Sequence, residues 1–365
     1  MVIRSLALED FRNIDRQVVE FQEGINVIVG ANAQGKTSLL EGVAYWSAAR
    51  SFRTVHDEEL IQFGKPHAWL SAQFISQGRQ QKLEASLLRR RQRKITLNGV
   101  TLQTLRELVG ILPSVLFAPS DLGLVQEGPA LRRRLMDSVL CQIRPAYLSA
   151  LSRYNKVLKQ KQKVLRKQAP DIDLLAAYNT QLAKYAAVLI PERARFVKIL
   201  SQLAQNYHEK LSNGKEVLTL AYRTVSCVEE KDIFNASQLE TVLLDHFAKR
   251  LHQEIAAGFC LTGSQRDNFQ LNINQNELRI FASQGQARTA VIAIKMAERA
   301  YFKKELNESP LLLLDDVLSE LDEHRRRVVL NEVTDGQILI TCCDNRRTRL
   351  LNGNVIRVRN GEFYQ

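Results

Sequence analysis

The chain has 365 residues, 45% hydrophobic and 25% charged, which is apolar material enough for one large core or two packed lobes and excludes wholesale disorder. No apolar run reaches the roughly 18 to 20 residues of a membrane helix. Arg4, Glu9 and Asp10 come too early for a secretory leader, and the 5 cysteines and 6 histidines lack disulfide or zinc spacing, so a cytoplasmic protein with reduced thiols is expected. The net charge of +12 points to a polyanionic partner, nucleic acid above all.

Alternation and turn residues predict strands at Val2 to Leu8, Val18 to Phe21 and Gly24 to Val29, the last running into a glycine-rich loop. A helix follows over Ser38 to Ala49, then strands at Trp69 to Phe74, Leu83 to Leu88 and Lys94 to Leu97, with Asn98-Gly99 as a hairpin turn. From about Thr101 to Gln205 the pattern is helical, cut into pieces by Pro113, Pro119, Pro129, Pro145, Pro170 and Pro191. Between Pro145 and Gln168 an apolar stripe (Tyr147, Leu151, Tyr154, Leu158, Leu165) runs beside a cationic one (Lys156, Lys159, Lys163, Arg166), so one helix can pack and present charge together. Strands return at Val217 to Val225 and as a hairpin, Phe269 to Ile273 with Glu277 to Phe281. A helix over Gln284 to Leu306, a buried strand at Leu311 to Leu314, a helix over Glu320 to Asn331 and strands at Gln337 to Thr341 and Val355 to Val358 complete the chain. The class is α/β, without sustained heptads.

Gly30-Ala31-Asn32-Ala33-Gln34-Gly35-Lys36-Thr37 fits the P-loop pattern and lies between a strand and a helix, as that loop requires. Its amides and helix N-terminus cradle phosphate, Lys36 reaches the β/γ oxygens, and Thr37, followed by Ser38, can ligate magnesium, so ATP and Mg2+ are the expected cofactors. The run Leu311 to Leu314 ending in Asp315-Asp316 reads as Walker B, with Asp315 holding magnesium through water and Asp316 orienting the attacking water. Many ABC-type ATPases carry Glu at the second position, and the shorter Asp316 predicts slow hydrolysis. Ser283-Gln284-Gly285-Gln286 resembles the ABC signature and is also a capping box. As a signature it binds the γ-phosphate of ATP held by another subunit's Lys36 and Thr37, so a P-loop and a signature in one chain imply a two-fold, ATP-bridged dimer. Ser319-Glu320-Leu321-Asp322 resembles the D-loop, and it too reads as a Ser-x-x-Asp helix cap.

Phe11-Arg12-Asn13, the P-loop with Leu39-Leu40-Glu41, Ser51-Phe52-Arg53, Leu116-Phe117-Ala118-Pro119 with Asp121-Leu122, Arg132-Arg133-Arg134, the SQGQ stretch and Asp315-Asp316 to Asp322 occur in an order that resembles the RecF family, across nearly the whole chain. That family is similar in its head to the SMC proteins. The resemblance implies an ABC-type P-loop head with a largely helical second lobe and no long coiled coil: an ATP-binding lobe of residues 1–115 and 280–365, and a second lobe of 116–279 leading into the signature. It further implies a weak DNA-dependent ATPase that dimerises with ATP on double-stranded DNA at single-strand gaps. There it acts with RecR and RecO to load RecA, in support of replication restart and the SOS response. By the same resemblance Arg12 approaches the nucleotide. The chain departs from related patterns in three places: Thr341-Cys342 stands where transporter ATPases have a switch histidine, no glutamine marks the Q-loop, for which Pro119 to Asp121 is the substitute stretch, and the family's G-P-H-R-D-D stretch is Gly263 to Asn268, G-S-Q-R-D-N.

Candidate phosphate contacts on DNA are the helix Arg153 to Lys167, the run Arg89 to Lys94, and Arg132 to Arg134; each cluster reads equally well as a solvated face, and some of Arg132 to Arg134 also suit buried ion pairs. A transporter ATPase subunit would share Walker A and B, but their wide separation, the SQGQ stretch and the basic surplus oppose it. A clamp that binds ATP without hydrolysing it is the other alternative.

Overall fold

The computed structural model describes residues 1–54, 56–89, 92–332, 335–343 and 353–364, with the side chains of Gln92, Ser319 and Glu320 also outside the described set. In chain order the elements are β1 (Val2–Phe11), β2 (Ile14–Glu20), β3 (Ile25–Val29), α1 (Lys36–Ala48), β4 (His67–Ser76), β5 (Arg79–Leu88), β6 (Gln92–Leu97), β7 (Val100–Thr101), α2 (Leu105–Leu108) and β8 (Ser114–Phe117). There follow α3 (Gly123–Gln126), α4 (Pro129–Ile143), α5 (Pro145–Leu165), α6 (Ile172–Ser212), β9 (Leu218–Arg223), α7 (Ala236–Ala257), β10 (Asn268–Ile273), β11 (Asn276–Glu277), α8 (Leu278–Phe281) and α9 (Gln284–Leu306). The last are β12 (Leu311–Leu314), α10 (Glu323–Glu332), β13 (Ile338–Cys342), β14 (Asn354–Arg359) and β15 (Glu362–Tyr364). Two compact units result, Met1–Asp121 with Lys295–Gln365, and Leu122–Ile294.

The first unit holds an antiparallel sheet ordered β2-β1-β4-β5-β6-β7 and a second sheet ordered β15-β14-β3-β13-β12-β8, parallel except for β15. Helix α1 is buried on nearly every side, Glu41 and Ser47 included, so its apolar residues are not confined to one stripe. Leu6 and Leu8 of β1 press against Gly42 so closely that an added Cβ would meet them at 3.2 and 3.1 Å. Ile28, Leu39, Leu313, Leu339 and Ile356 join both sheets and α1 in one core. The parallel strands β3, β13 and β12 are buried along almost their whole length because both faces are covered, and β12 is a continuous apolar run.

The second unit packs α4, α5, α6 and α7 with a small sheet ordered β11-β10-β9. Its hub is Arg193, 2% exposed, whose guanidinium donates to Asp267 (2.6 Å), Asp137 (2.8 Å), the Ser264 carbonyl (2.7 Å) and Tyr147 (2.8 Å). Asp267 also accepts from Tyr222 and Thr224, yet burial still pushes its carboxyl above the usual range. Two of the three departures in the stretch Gly263 to Asn268 are thereby structural: Gln265 accepts from Tyr154 and donates to the Thr262 carbonyl, and Asn268 accepts from Arg132 at 2.8 Å.

Several predicted elements differ from those observed. Residues 114–117, inside the region expected to be helical, form β8, because four residues bracketed by Pro113 and Pro119 are too short for a helix and pair in parallel with β12. Pro191 does not cut α6. The lost hydrogen bond and ring clash cost about 3 kcal/mol, less than the burial of Leu189, Ile190, Phe196 and Val197 on the same helix returns. Residues 278–281 are a single helical turn closed by the Ala282 amide on the Leu278 carbonyl, not the second strand of a hairpin. The helix predicted from Glu320 begins at Glu323, capped by Asp322, which accepts from the Arg325 amide at 2.9 Å; the side chain of Ser319, on which the Ser-x-x-Asp box rests, lies outside the described residues. Helix α7, which drew no prediction, starts at an Asn235 cap.

Candidate functional site

A cleft of about 810 Å³ opens in the first unit, lined by Asn32 to Ser38, Arg12, Asn13, Asp315, Asp316, Thr341 and Cys343 with several neighbours. Sheet topology brings these together, because β3, β12 and β13 are adjacent and parallel and each delivers its C-terminal residues to the same edge. Gly30 sits where an added Cβ would strike the Val358 carbonyl, and Gly35 has φ +111° with Asn13 beside it, so both positions require glycine. Ala33, at φ +61°, holds the same left-handed region at a steric cost. Gly30 and Ala31 do not line the cleft; their carbonyls accept from Lys36 Nζ at 2.7 and 2.8 Å. Gln34 is pinned by the Gly361 and Asn360 amides, and the Ser38 hydroxyl donates to Asn13 at 2.8 Å.

Below the loop, Asp315 Oδ1 accepts from Thr37 Oγ1 at 3.0 Å and from Thr341 Oγ1 at 2.9 Å. Burial pushes the Asp315 carboxyl up, against the two hydroxyls that lower it, and neighbouring Asp316 adds repulsion. Asp316 has φ +54° and donates its amide to Thr341 Oγ1 at 2.8 Å, so the turn after β12 is held by a residue of the neighbouring strand β13. Thr37 Oγ1 and the Asp315 carboxylate are hard oxygen donors that suit Mg2+, and the loop amides with Lys36 suit a phosphate chain. Among the described residues no cluster of three His, Cys, Asp or Glu could hold a metal without such help.

Arg12 lines the cleft at φ +55°, oriented by the fully buried Glu41 through bonds of 2.9 and 2.7 Å and by the Glu59 carbonyl at 2.6 Å. Glu41 also receives Ser51 and, at 3.6 Å, Arg53. Cys343, which drew no prediction, lies 3.5 Å from Lys36 Nζ and 2.9 Å from Asn32 Oδ1. Only its chain position directly after β13 could have signalled it. Fully exposed Phe63, which had no distinguishing pattern, also lines the cleft, as does exposed Arg89, which the sequence offered only as a phosphate contact on DNA in the run Arg89 to Lys94.

Ser283 to Gln286 belong to the second unit. Ser283 Oγ accepts from the Gln286 amide at 3.2 Å while Gln286 Oε1 accepts from the Ser283 amide at 2.9 Å, so the capping box is formed, with Ser283 and Gln284 exposed. Of the basic candidates, Arg153, Lys156, Lys159, Lys163, Arg166 and Lys167 are exposed. Lys161 is buried against Glu254 at 2.5 Å, and Arg132 is buried with its guanidinium on the Leu124 and Glu127 carbonyls, so neither is a free phosphate contact. Arg133 donates to the Asp267 carbonyl. Arg93 pairs with Asp57, and Arg90 and Arg91 lie outside the described residues. No helix among the described residues is long and apolar enough to cross a membrane.

The family model for the RecF/RecN/SMC N-terminal domain matches residues 2–362. The chain is 34% identical over 366 residues to the DNA replication and repair protein RecF of Clostridium tetani, covering 99% of both chains. It is 38% identical over 348 residues to RecF of Symbiobacterium thermophilum, covering 94% and 92%. A solved structure of the recombination mediator protein RecF with ATP in the RecFOR pathway superposes with a TM-score of 0.91 at 29% identity, covering 99% and 96%. An SMC head bound to the C-terminal winged-helix domain of ScpA shares the fold, with a TM-score of 0.59 at 15% identity over 100% and 96%. Motif order, the parallel-sheet cleft and full-length similarity agree, and the chain belongs to the RecF family.

Proposed function

We propose that the chain is a cytoplasmic, ATP-dependent DNA-binding protein of recombinational repair that closes as a homodimer on double-stranded DNA at single-strand gaps. There it works with RecR and RecO toward RecA loading, and slow ATP hydrolysis resets it. The observation that carries this reading is the convergence of Lys36, Thr37, Asp315 and Asp316 in one cleft of a chain whose full-length relatives are named DNA replication and repair proteins. Magnesium would supply charge neutralisation across the β- and γ-phosphates. Lys36 leaves its two loop carbonyls for phosphate oxygens, Thr37 and Asp315 would hold the metal, Asp316 orients water, and Arg12 approaches the nucleotide from its Glu41 cradle. Ser283 to Gln286 of a second copy complete the site. Support for that partner comes from the exposed start of α9, preceded by Ile280 and Phe281 at 67% and 68% exposure.

Sedimentation with and without ATP, Mg2+ and a gapped duplex at two salt concentrations tests the proposal. The parent should dimerise with ATP and bind the duplex, and Lys36→Met should do neither. Asp316→Asn should bind ATP normally and accumulate as dimer, whereas Ser283→Arg should bind ATP and stay monomeric. A parent that remains single at saturating ATP and Mg2+ overturns the dimer, and turnover of many ATP per second on DNA overturns the slow switch.

A further inference from the structure

Gln286 does more than close its capping box. While Oε1 accepts from the Ser283 amide, Nε2 donates to Glu216 Oε1 at 2.8 Å. Glu216 Oε2 in turn faces Nε2 of His208, a fully buried side chain of α6, at 3.0 Å. A carboxylate only accepts, so Glu216 dictates both neighbours: the Gln286 amide must turn its NH2 toward Glu216 and its oxygen toward Ser283, and His208 must present Nε2–H. Without that carboxylate the Gln286 amide is free to flip, and a flipped NH2 would oppose the Ser283 N–H and open the cap.

We infer that Glu216 is a positioning residue for the signature, fixing the polarity of Gln286 so that Ser283 is held in one orientation and tying the start of α9 to the long helix α6. The inference rests on the reading of Ser283 to Gln286 as the signature that meets the partner's ATP. Glu216 itself is 79% removed from solvent and lies just before β9, well separated in sequence from the motif it orients. Its role lies in assembly, since Lys36 and Thr37 of the same chain bind nucleotide through other contacts.

A polarity swap tests it. Glu is as good as Gln in a capping box and suits a helix N-terminus, so Gln286→Glu judged by helix stability alone is neutral or favourable. Here it sets two carboxylates against each other, and ATP-dependent dimerisation should weaken roughly tenfold or more. Adding Glu216→Gln restores a donor–acceptor pair of reversed polarity and should return dimerisation to within about threefold of the parent. ATP affinity of single protomers, measured in a Ser283→Arg background, should stay the same throughout. If Gln286→Glu dimerises like the parent, or if the double variant is no better than Gln286→Glu alone because the new carboxylate repels the partner's phosphates directly, the role of Glu216 is refuted. If Ser283→Arg itself dimerises with ATP like the parent, the signature reading fails instead.

Discussion

The Lys36 ammonium rests on the carbonyls of Gly30 and Ala31, and Cys343 Sγ closes the same corner at 3.5 Å from Nζ and 3.9 Å from each Asp316 carboxylate oxygen. A phosphate chain that draws Lys36 out must occupy the space this exposed thiol faces. Maleimide should therefore label Cys343 in the free protein, saturating ATP and Mg2+ should slow labelling at least tenfold, and the adduct should abolish ATP binding, while Cys343→Ser binds ATP within about twofold of the parent. Peptide mass spectrometry reads the labelling, and an equal rate with and without nucleotide would show that the thiol lies outside the phosphate path. Lys36, Thr37, Asp315 and Asp316 were legible in the sequence because phosphate chemistry restricts residue type and spacing together. Cys343 and Phe63 were not, and Thr341 was marked only as a departure from a related pattern, since their contribution depends on which strand ends the sheet places side by side. Glu41 stood in plain view within a recognised motif, but its service to Arg12 emerges only from the fold.

At the scale of elements, α9 and the turn leading into β13 are joined through Asp335, which takes Ser309 and, at 2.8 Å, Lys303, with Arg299 at 3.6 Å. Burial pushes the Asp335 carboxyl up, but these cationic and hydroxyl partners outweigh it and bring the pKa down to about 2. A folded value below the unfolded one means stability that is fully present above about pH 4 and is lost as pH falls toward 2. With the side chain 39% exposed, screening reduces the contribution to about 1 kcal/mol. Urea melts should find Asp335→Asn less stable than the parent by that amount at pH 7, with the gap narrowing below pH 4. A gap independent of pH would mean that packing, not charge, is lost. Elements that a single local rule governs were the readable ones: β3, α1, β12 and α9 carry their own punctuation and periodicity. β8 and the turn at 278–281 were not, because a four-residue apolar run obeys helix and strand rules equally and only a neighbouring strand decides. Pro191 misled for the opposite reason, a strong local signal overridden by burial along both sides of it.

For the molecule as a whole, a net charge of +12 gives the sign of the partner but not the surface that meets it. Several basic residues that look alike in the sequence are spent inside: Lys161 neutralises Glu254, Arg193 knots the second unit together, and Arg132 satisfies backbone carbonyls. The exposed row Lys156, Lys159 and Lys163 on α5 remains, with no pairing acid in its own segment from Ser138 to Pro170. If this row meets duplex phosphates, changing all three to Gln should flatten the log–log salt dependence of DNA binding by about 2 to 3, near 0.9 for each phosphate contact released. ATP binding should be unaffected, and the loss should be similar for duplexes of any sequence, as contacts to the backbone demand. Lys161→Gln should behave in the contrary way, costing about 3 to 5 kcal/mol of stability by stranding a buried carboxylate and leaving the salt slope of the surviving folded protein intact. A triple variant whose slope matches the parent's would move the DNA contact off α5, and Arg134, the exposed member of its arginine run, would be the next residue to neutralise.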